Sequence, residues 1–192
     1  MMASESRSDR QIAVTFQRLD PAAGDELIRW LASDCWPFHK EPKPDPARLA
    51  VRLAEGFFAS EDNQTFWILD GAGEKVGVIR IMDFSDEVPM FDLRVRTDYR
   101  GRGIGAQTLR WLAGYIFSLP GKIRIEGQTR RDNLAMRRTF RRCGWVKEAH
   151  YRSVWPTADG RRVDAIGYGI LKSDWEQGTV TPVEWDDDEG LD

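Results

Sequence analysis

Apolar and polar residues alternate over several short stretches of the chain, and this alternation is typical of half-buried strands. The stretch from Ile12 to Leu19 places Ile12, Val14 and Phe16 on one side. Short runs rich in β-branched and aromatic residues, bounded by turn residues, predict further strands. The predicted strands are Ile12–Leu19, Thr65–Leu69, Val76–Met82, Met90–Arg96, Ile123–Thr129, Val146–Trp155 and Val163–Leu171.

Elsewhere apolar residues recur every three or four positions, which predicts amphipathic helices. The first follows Asp20-Pro21, where Asp20 is suited to the N-cap and Pro21 to the first helical position. Its apolar stripe is Leu27, Ile28 and Leu31. The later predicted helices are Pro46–Phe58, Gly105–Ser118 and Asn133–Cys143, and the proline-rich stretch Cys35–Pro46 is predicted to be a loop.

The order of these elements predicts an α/β fold in the broad sense, a mixed α+β arrangement in which helices cover a mixed sheet. The sequence shows no internal repeat and no long linker rich in proline and glycine. We therefore expect one domain over residues 11–175. A disordered N-terminus is expected over residues 1–10 and an acidic tail over residues 176–192.

Composition narrows the class of protein without changing this picture. Of the 192 residues, 41% are hydrophobic and 31% are charged, as in globular proteins with a buried core. No apolar stretch approaches the roughly 20 residues that cross a bilayer, and the N-terminus lacks the apolar segment of a secretory signal. The net charge of −3 argues against general nucleic-acid binding. Two cysteines, Cys35 and Cys143, fit a reducing compartment, so we expect a cytoplasmic protein.

A glycine-rich segment, Arg100 to Gly105, stands between a predicted strand and a predicted helix. Glycines let backbone N–H groups approach a phosphate closely, and the positive end of the helix dipole adds to the attraction. Arg100 and Arg102 supply further positive charge. The segment therefore predicts a pyrophosphate site, although a glycine-rich turn with no ligand is the alternative for three glycines alone.

Two other phosphate-binding motifs fit this segment poorly. A P-loop requires Lys-Ser or Lys-Thr after its glycines, and neither follows here. A dinucleotide-binding fold requires GxGxxG, whereas Gly101, Gly103 and Gly105 form GxGxG. Glu126 lies about 20 residues further on, where a ribose-binding acid would stand, but it falls within a predicted strand.

The Arg-x-x-Gly-x-Gly pattern of Arg100 to Gly105, after the strand segment DLRV, resembles the acetyl-CoA loop of the GNAT N-acetyltransferase superfamily. The resemblance continues in DNLAMRRTFRRCGW, residues 132–145, which is similar to the family's second helix. RIEGQT at 124–129 and DAIGYGILKSDW at 164–175 resemble the RimJ/RimL-like branch. The resemblance implies a largely antiparallel central sheet with two splayed parallel strands and with helices on both faces.

For the cofactor, the resemblance implies acetyl-CoA bound along the free edge of the first splayed strand. Backbone groups of that edge would pair with pantetheine, with the N–H of Val95 facing the thioester oxygen. Amides of the glycine segment would hold the pyrophosphate, and two residues of the second helix would lie beside the cofactor. The implied cofactor-binding residues are Leu93, Val95, Arg96, Arg100, Gly101, Arg102, Gly103, Ile104, Gly105, Asn133 and Phe140.

The implied reaction is direct attack of a primary amine on the thioester, through a tetrahedral intermediate. An amine is protonated at neutral pH, so a carboxylate near the splay is expected to take its proton. Glu126, Asp92 and Glu87 are the candidates, and a solvated or salt-bridged carboxylate is the alternative for each. Many members carry a tyrosine that protonates the departing thiolate. Phe140 stands at that position here, which leaves the general acid unassigned.

The loop between the first two helices often walls the acceptor site in this family. Here it carries Trp36, Phe38 and His39, which would contact an amine or peptide, or would pin the loop to the core. The resemblance thus implies an acetyl-CoA-dependent acyltransferase acting on a small amine or a protein N-terminus, with no metal and with a homodimer as the expected assembly. A GNAT-fold module that binds acyl-CoA without turnover is the alternative function.

Overall fold

The computed structural model describes residues 12–157 and 159–185. In this part of the chain the helices and strands follow the order expected from the sequence. The strands are β1 (Thr15–Arg18), β2 (Gln64–Leu69), β3 (Lys75–Met82), β4 (Met90–Val95), β5 (Arg124–Arg130), β6 (Val146–Pro156) and β7 (Arg162–Leu171). The α-helices are α1 (Gly24–Ala32), α2 (Pro46–Ala54), α3 (Ile104–Phe117), α4 (Leu134–Arg142) and α5 (Lys172–Gln177), and Pro21–Ala23 and Thr97–Tyr99 form short 3-10 helices.

The described strands form one seven-stranded sheet in the order β1-β2-β3-β4-β5-β7-β6. Its two middle strands, β4 and β5, run parallel, and the other neighbouring pairs run antiparallel. The connection from β4 to β5 passes through α3, as a parallel pair requires. The predicted mixed, largely antiparallel sheet is confirmed.

Helices cover both faces of this sheet, because each face presents apolar side chains. On one face α3 and α4 bury residues such as Leu112 and Phe140 against β3, β4 and β5. On the other face α1 and α2 bury Leu27 and Leu49 against Trp67 and the neighbouring strands. Each buried side chain of this size contributes about 1.5–3 kcal/mol through removal from water. The two layers confirm the expected fold class.

Two elements are shorter than the sequence pattern predicts. The α2 helix stops at Ala54, because Gly56 adopts a φ of 76°, a left-handed conformation that terminates helices. The β1 strand begins at Thr15, since its partner β2 ends at Leu69, opposite Thr15. The residues beyond these two ends still follow the apolar and polar pattern, but they belong to neither the helix nor the sheet.

The α5 helix is not predicted by the sequence pattern, and it extends into the stretch expected to be an acidic tail. Asp174, almost fully buried, accepts hydrogen bonds from the Thr181 N–H at 2.9 Å and the Thr179 hydroxyl at 3.0 Å. These bonds fix the chain after α5. The predicted disordered N-terminus, residues 1–10, and residues 186–192 of the predicted tail lie outside the described residues. Among the described helices, none is long and apolar enough to cross a membrane.

Candidate active site

The parallel strands β4 and β5 meet at one end and separate toward the other. Met90 lies opposite Glu126, the Ile123 N–H donates to the Glu87 carbonyl at 3.1 Å, and the Glu126 N–H donates to the Pro89 carbonyl at 3.1 Å. Beyond Glu126 no ladder between β4 and β5 continues within the described residues, while β4 pairs with β3 as far as Val95. A wedge therefore opens in the middle of the sheet.

One edge of this wedge is the backbone of β4. In an antiparallel ladder, alternate residues point their N–H and C=O groups toward the partner strand. The Arg96 N–H donates to the Val76 carbonyl at 2.9 Å. Arg96 and every second residue before it therefore point their backbone groups toward β3. The N–H groups of Leu93 and Val95 consequently face the wedge. The amide of Arg96, which was expected to offer its backbone to the cofactor, bonds to β3, and the role of Arg96 in cofactor binding stays a prediction.

A glycine-rich turn follows β4 and leads into α3. Gly101 and Gly103 have φ angles of 81° and 79°, which side-chain-bearing residues rarely adopt, so the turn requires glycine at both positions. Intrahelical bonding begins with the Gln107 N–H, which donates to the Gly103 carbonyl at 3.2 Å. The amides of residues 104–106 therefore have no intrahelical acceptor, and they lie at the positive end of the helix dipole. This arrangement attracts an anion.

The arginines of this turn are partly engaged in holding it together. Arg100 donates from Nε to the Val95 carbonyl at 3.0 Å and from Nη2 to the Cys35 carbonyl at 2.7 Å. The guanidinium of Arg102 lies 5.1 Å from the centre of the Tyr99 ring. Arg100 thus braces the turn against the loop after α1, and its charge stays near the amides of α3.

These elements enclose a cleft of ≈ 440 Å³ between the glycine turn, α4 and the loop after α1. Its walls contain most of the residues expected from the sequence and several that were not expected. The cleft is lined by Trp36, Pro37, Phe38, His39, Leu93, Val95, Tyr99, Arg100, Gly101, Gly103, Ile104, Gly105, Ala106, Asn133, Ala135, Met136, Arg138, Thr139 and Arg142.

The wall opposite α4 is the loop after α1. Trp36 is 1% exposed, donates from Nε1 to the Leu31 carbonyl at 2.8 Å and stacks on Trp30 at 5.2 Å between ring centroids. It therefore pins the loop to the core and also lines the cleft. The guanidinium of Arg130 lies over Phe38, 5.4 Å from the centre of the Phe38 ring.

The same loop is bonded directly to the segment after β4. One carboxylate oxygen of Asp34 accepts the Thr97 N–H at 2.7 Å, and the other accepts the Thr97 hydroxyl at 2.7 Å. Burial alone would raise the pKa of Asp34, but these hydrogen bonds outweigh it and lower the pKa. Together with the bond between Arg100 and the Cys35 carbonyl, they join the loop after α1 to the glycine turn and the segment before it.

Side chains alternate along β4, so the carboxylate of Asp92 lies on the other face of the sheet from Leu93. It contacts His39 there. Burial would raise the pKa of Asp92, but Arg94, His39 and Arg80 outweigh it and hold the pKa well below its usual range. Arg94 Nη2 approaches this carboxylate to 3.3 Å. Asp92 therefore stays ionised, and a carboxylate held this way is a weak base.

Glu126 stands where the strands part. Since Met90 and Glu126 are paired, and side chains alternate along β4, Glu126 shares a face of the sheet with Asp92. Its carboxylate lies 2.9 Å from Arg124, which also contacts Glu148. The salt-bridged alternative for Glu126 is thus present in the structure. The side chain of Glu126 is 39% exposed, so its carboxylate is still accessible to solvent. Glu87, the third candidate, is exposed in the loop before β4. None of Glu126, Asp92 and Glu87 is among the described residues that line the cleft.

Asn133, the N-cap of α4, and Phe140, within α4, were both expected beside the cofactor, but only one of them lines the cleft. Asn133 lines the cleft, caps α4 through the Met136 N–H at 3.3 Å and donates to the Thr129 hydroxyl at 3.0 Å. Phe140 is fully buried and stacks on Tyr168 at 4.5 Å, and it is absent from the described residues that line the cleft. The ring of Phe140 is thus part of the core, and its contact with the cofactor stays a prediction.

Sequence comparison identifies the family. A model of the acetyltransferase (GNAT) family matches residues 26–145, which include the wedge, the glycine turn and α4. The chain belongs to the GNAT acetyltransferase family. This protein is accordingly an acetyl-CoA-dependent N-acetyltransferase, which transfers an acetyl group to an amine. No curated protein sequence matches the acetyltransferase.

Solved structures of other acetyltransferases share its fold. A spermidine N-acetyltransferase from Vibrio cholerae in complex with CoA and spermine superposes with a TM-score of 0.74 at 17% identity, over 85% of this chain and 98% of that chain. A chimera of the Vibrio cholerae enzyme and hSSAT gives a TM-score of 0.74 at 16% identity, with the same coverage. A dodecameric structure of the Vibrio cholerae enzyme gives 0.69 at 16% identity, over 84% of this chain and 95% of that chain. At these identities the similarity shows a shared fold.

The groups present in the acetyltransferase fit acetyl-CoA. The free backbone edge of β4 offers donors for an amide-containing arm, and the amides at the start of α3 offer donors for a diphosphate. A Cβ built on Gly101 would meet no atom within 4 Å, so the turn has open space before it.

Arg138 and Arg142 are cleft residues that the sequence interpretation missed. Their spacing of four on a predicted helix was the signal that could have found them.

Proposed function

We propose that the acetyltransferase binds acetyl-CoA along the free edge of β4 and acetylates a primary amine that enters beside the loop Pro37–His39. The proposed acceptors are small amines and protein N-termini. The observation that carries this proposal is the wedge between β4 and β5, with the Val95 N–H facing it. In a continuous sheet that amide would be satisfied by the neighbouring strand, so its exposure supports a ligand-binding role.

Acetyl-CoA, when bound, supplies an activated acetyl group. The Val95 N–H is then the donor for the carbonyl oxygen of that group, where negative charge develops during attack. The amides at residues 104–106 hold the diphosphate, and the buried Trp36 fixes the loop that shields the amine side from water.

The acceptor amine must lose a proton, and Glu126 is our candidate base. Asp92 is disfavoured because its positive neighbours lower the pKa of its carboxyl group, which makes the carboxylate a weak proton acceptor. Glu126 has one arginine contact, shared with Glu148, and stands where β4 and β5 part. A carboxylate in that position takes the proton directly or through one water molecule.

The charges around the wedge favour an acceptor with a single amine over a polyamine. Three carboxylates lie on this side of the sheet, and each contacts an arginine: Asp92 with Arg94, and Glu126 and Glu148 with Arg124. A polyamine carries several positive charges and is recognised by carboxylates without such partners. We therefore propose a monoamine or a peptide N-terminus, although the structural relatives are spermidine acetyltransferases.

Assignment to the RimJ/RimL-like branch is part of this proposal. It is supported by DAIGYGILKSDW, residues 164–175, which forms most of β7 and the start of α5. Homodimer formation and a cytoplasmic location stay predictions from the sequence.

Isothermal titration with acetyl-CoA, CoA and NAD tests the cofactor half of this proposal. Micromolar binding of acetyl-CoA and CoA without NAD binding is expected, and the double variant Arg102→Glu/Gly103→Val is expected to lose it. Gly71→Ala, at a surface turn away from the cleft, is the control. Acetyl-CoA affinity retained in the double variant would overturn the assigned site.

An acceptor screen tests the other half. Peptides with free and blocked N-termini, small monoamines and spermidine are compared by release of free CoA thiol. Turnover of free N-termini or monoamines well above spermidine is expected. Spermidine as the best acceptor would contradict the proposed substrate class.

A further inference from the structure

The α4 helix is unusually basic on the side that faces the cleft. Its nine residues contain four arginines and no acid. Two of them, Arg138 and Arg142, line the cleft, and the small residues Ala135 and Thr139 line it from the same helix. These small residues leave the two guanidinium groups as the prominent features of that wall.

Arg138 and Arg142 have no hydrogen-bond or ion-pair partner among the described residues. The same holds for the side chain of Arg102, which lies against the Tyr99 ring, but other arginines near the cleft are engaged. Arg100 is bonded to two carbonyls, Arg130 to Asp132, and Arg137 to the Arg131 carbonyl at 2.8 Å. Like charges four residues apart on a helix repel each other and destabilise it. An anion held between the two side chains would remove that repulsion.

In the proposed site, the diphosphate of CoA has donors at the start of α3, which packs directly against α4: the Thr139 side chain lies beside Gly105, and Cys143 Sγ contacts the Ala106 carbonyl at 3.6 Å. CoA carries one further anionic group, the phosphate on the 3′ oxygen of its ribose. A phosphate monoester bears about −1.5 to −2 charges at neutral pH, and guanidinium groups match it through paired N–H donors. We infer that Arg138 and Arg142 bind the 3′-phosphate of CoA and thereby select CoA over its dephosphorylated form. This inference rests on the proposed acetyl-CoA site.

The test is isothermal titration of the full chain with CoA and with 3′-dephospho-CoA. The wild-type protein binds CoA about tenfold more tightly, as two exposed charge pairs allow. In Arg138→Gln/Arg142→Gln the preference falls to about one, because CoA affinity drops while dephospho-CoA affinity is unchanged. The matched control is Arg141→Gln, since Arg141 is exposed on the same helix and does not line the cleft among the described residues. It retains the wild-type preference.

A second variant separates the effect of charge on CoA preference from the effect of misfolding. Arg138→Lys/Arg142→Lys keeps both charges and retains part of the preference, and thermal melting shows whether each variant is folded. Equal loss of affinity for both ligands in the glutamine variant would overturn the inference in favour of a diphosphate contact. A wild-type protein that binds both ligands equally would also overturn it while leaving the proposed function intact. A wild-type protein that binds neither would overturn the proposed function itself.

Discussion

Nε2 of His39 lies 3.0 Å from Oδ1 of Asp92. This contact joins the loop after α1 to β4. One edge of β4 pairs with β3, and its opposite edge faces the wedge. Asp92 also contacts Arg94 through its second oxygen. One carboxylate therefore holds a loop residue and a strand residue in a fixed relationship beside the cleft.

Asp92→Asn is expected to lower the free energy of unfolding at pH 7 by roughly 1–3 kcal/mol, because charge-assisted hydrogen bonds are lost. The pKa of Asp92 is lowered in the folded protein, so its stabilising effect is complete above the unfolded pKa of about 3.9 and is lost as pH falls below it. The difference between wild type and variant should therefore shrink as pH falls below about 4. Urea unfolding at a series of pH values measures it. A difference that grows as pH falls below about 4 would contradict this account.

Gly127→Ala is expected to destabilise the protein by about 1–3 kcal/mol, because β5 packs closely against aromatic rings here. A Cβ at Gly127 would lie 2.7 Å from Phe91 Cε1 and 2.8 Å from Phe140 Cζ. Thermal melting checks the loss, with Gly71→Ala as the control because no atom lies near that position. Adding Phe140→Leu should recover part of the loss in Gly127→Ala. A variant as stable as the control would refute the packing argument.

Phe140→Tyr is expected to add no general acid, although many family members carry tyrosine at this position. The ring is fully buried against Tyr168 and Trp145, so a new hydroxyl would lie in the core without a partner. The cost of such a group is about 1–3 kcal/mol of stability. Unfolding curves and kcat per folded molecule measure both effects. An increase in kcat with a new basic limb in the pH profile would show that the hydroxyl reaches the reacting atoms.

Glu126→Gln is expected to reduce kcat by about 10²–10⁴-fold, as removal of a general base does. Glu148→Gln is the matched control, since both carboxylates contact Arg124. If Glu126 acts as the base, only its variant loses kcat and the dependence of kcat on pH. Equal losses in the two variants would mean that the carboxylates act by holding Arg124, and unchanged turnover would clear Glu126 of the role.

The layered fold was predictable because its signals are local. The alternation of Ile12 to Phe16 and the apolar stripe of Leu27, Ile28 and Leu31 each depend only on neighbouring residues. The φ angle of 76° at Gly56, which ends α2, is not encoded by periodicity, because glycine is compatible with many conformations. Helix and strand ends therefore shifted while the order of elements held.

The site was predictable to the extent that a motif marks it. The segment Arg100 to Gly105 forms the expected turn into α3, but the engagement of Arg100 with the Cys35 carbonyl depends on a loop 65 residues away in sequence. The contact between His39 and Asp92 is equally non-local. Phe140 was expected beside the cofactor from its place in a motif, but a motif does not reveal that its ring is fully buried in the core.

The hydrogen bonds that Thr97 donates to Asp34 and that Arg100 donates to the Cys35 carbonyl connect the glycine turn, where we propose that acetyl-CoA binds, to the loop after α1, where we propose that the amine enters. If acetyl-CoA orders the turn and this loop together, the amine loses less conformational entropy when it binds there. The two substrates are therefore expected to bind with positive cooperativity. Thermodynamic linkage makes the effect reciprocal: the factor by which one raises the affinity of the other is the same in both directions.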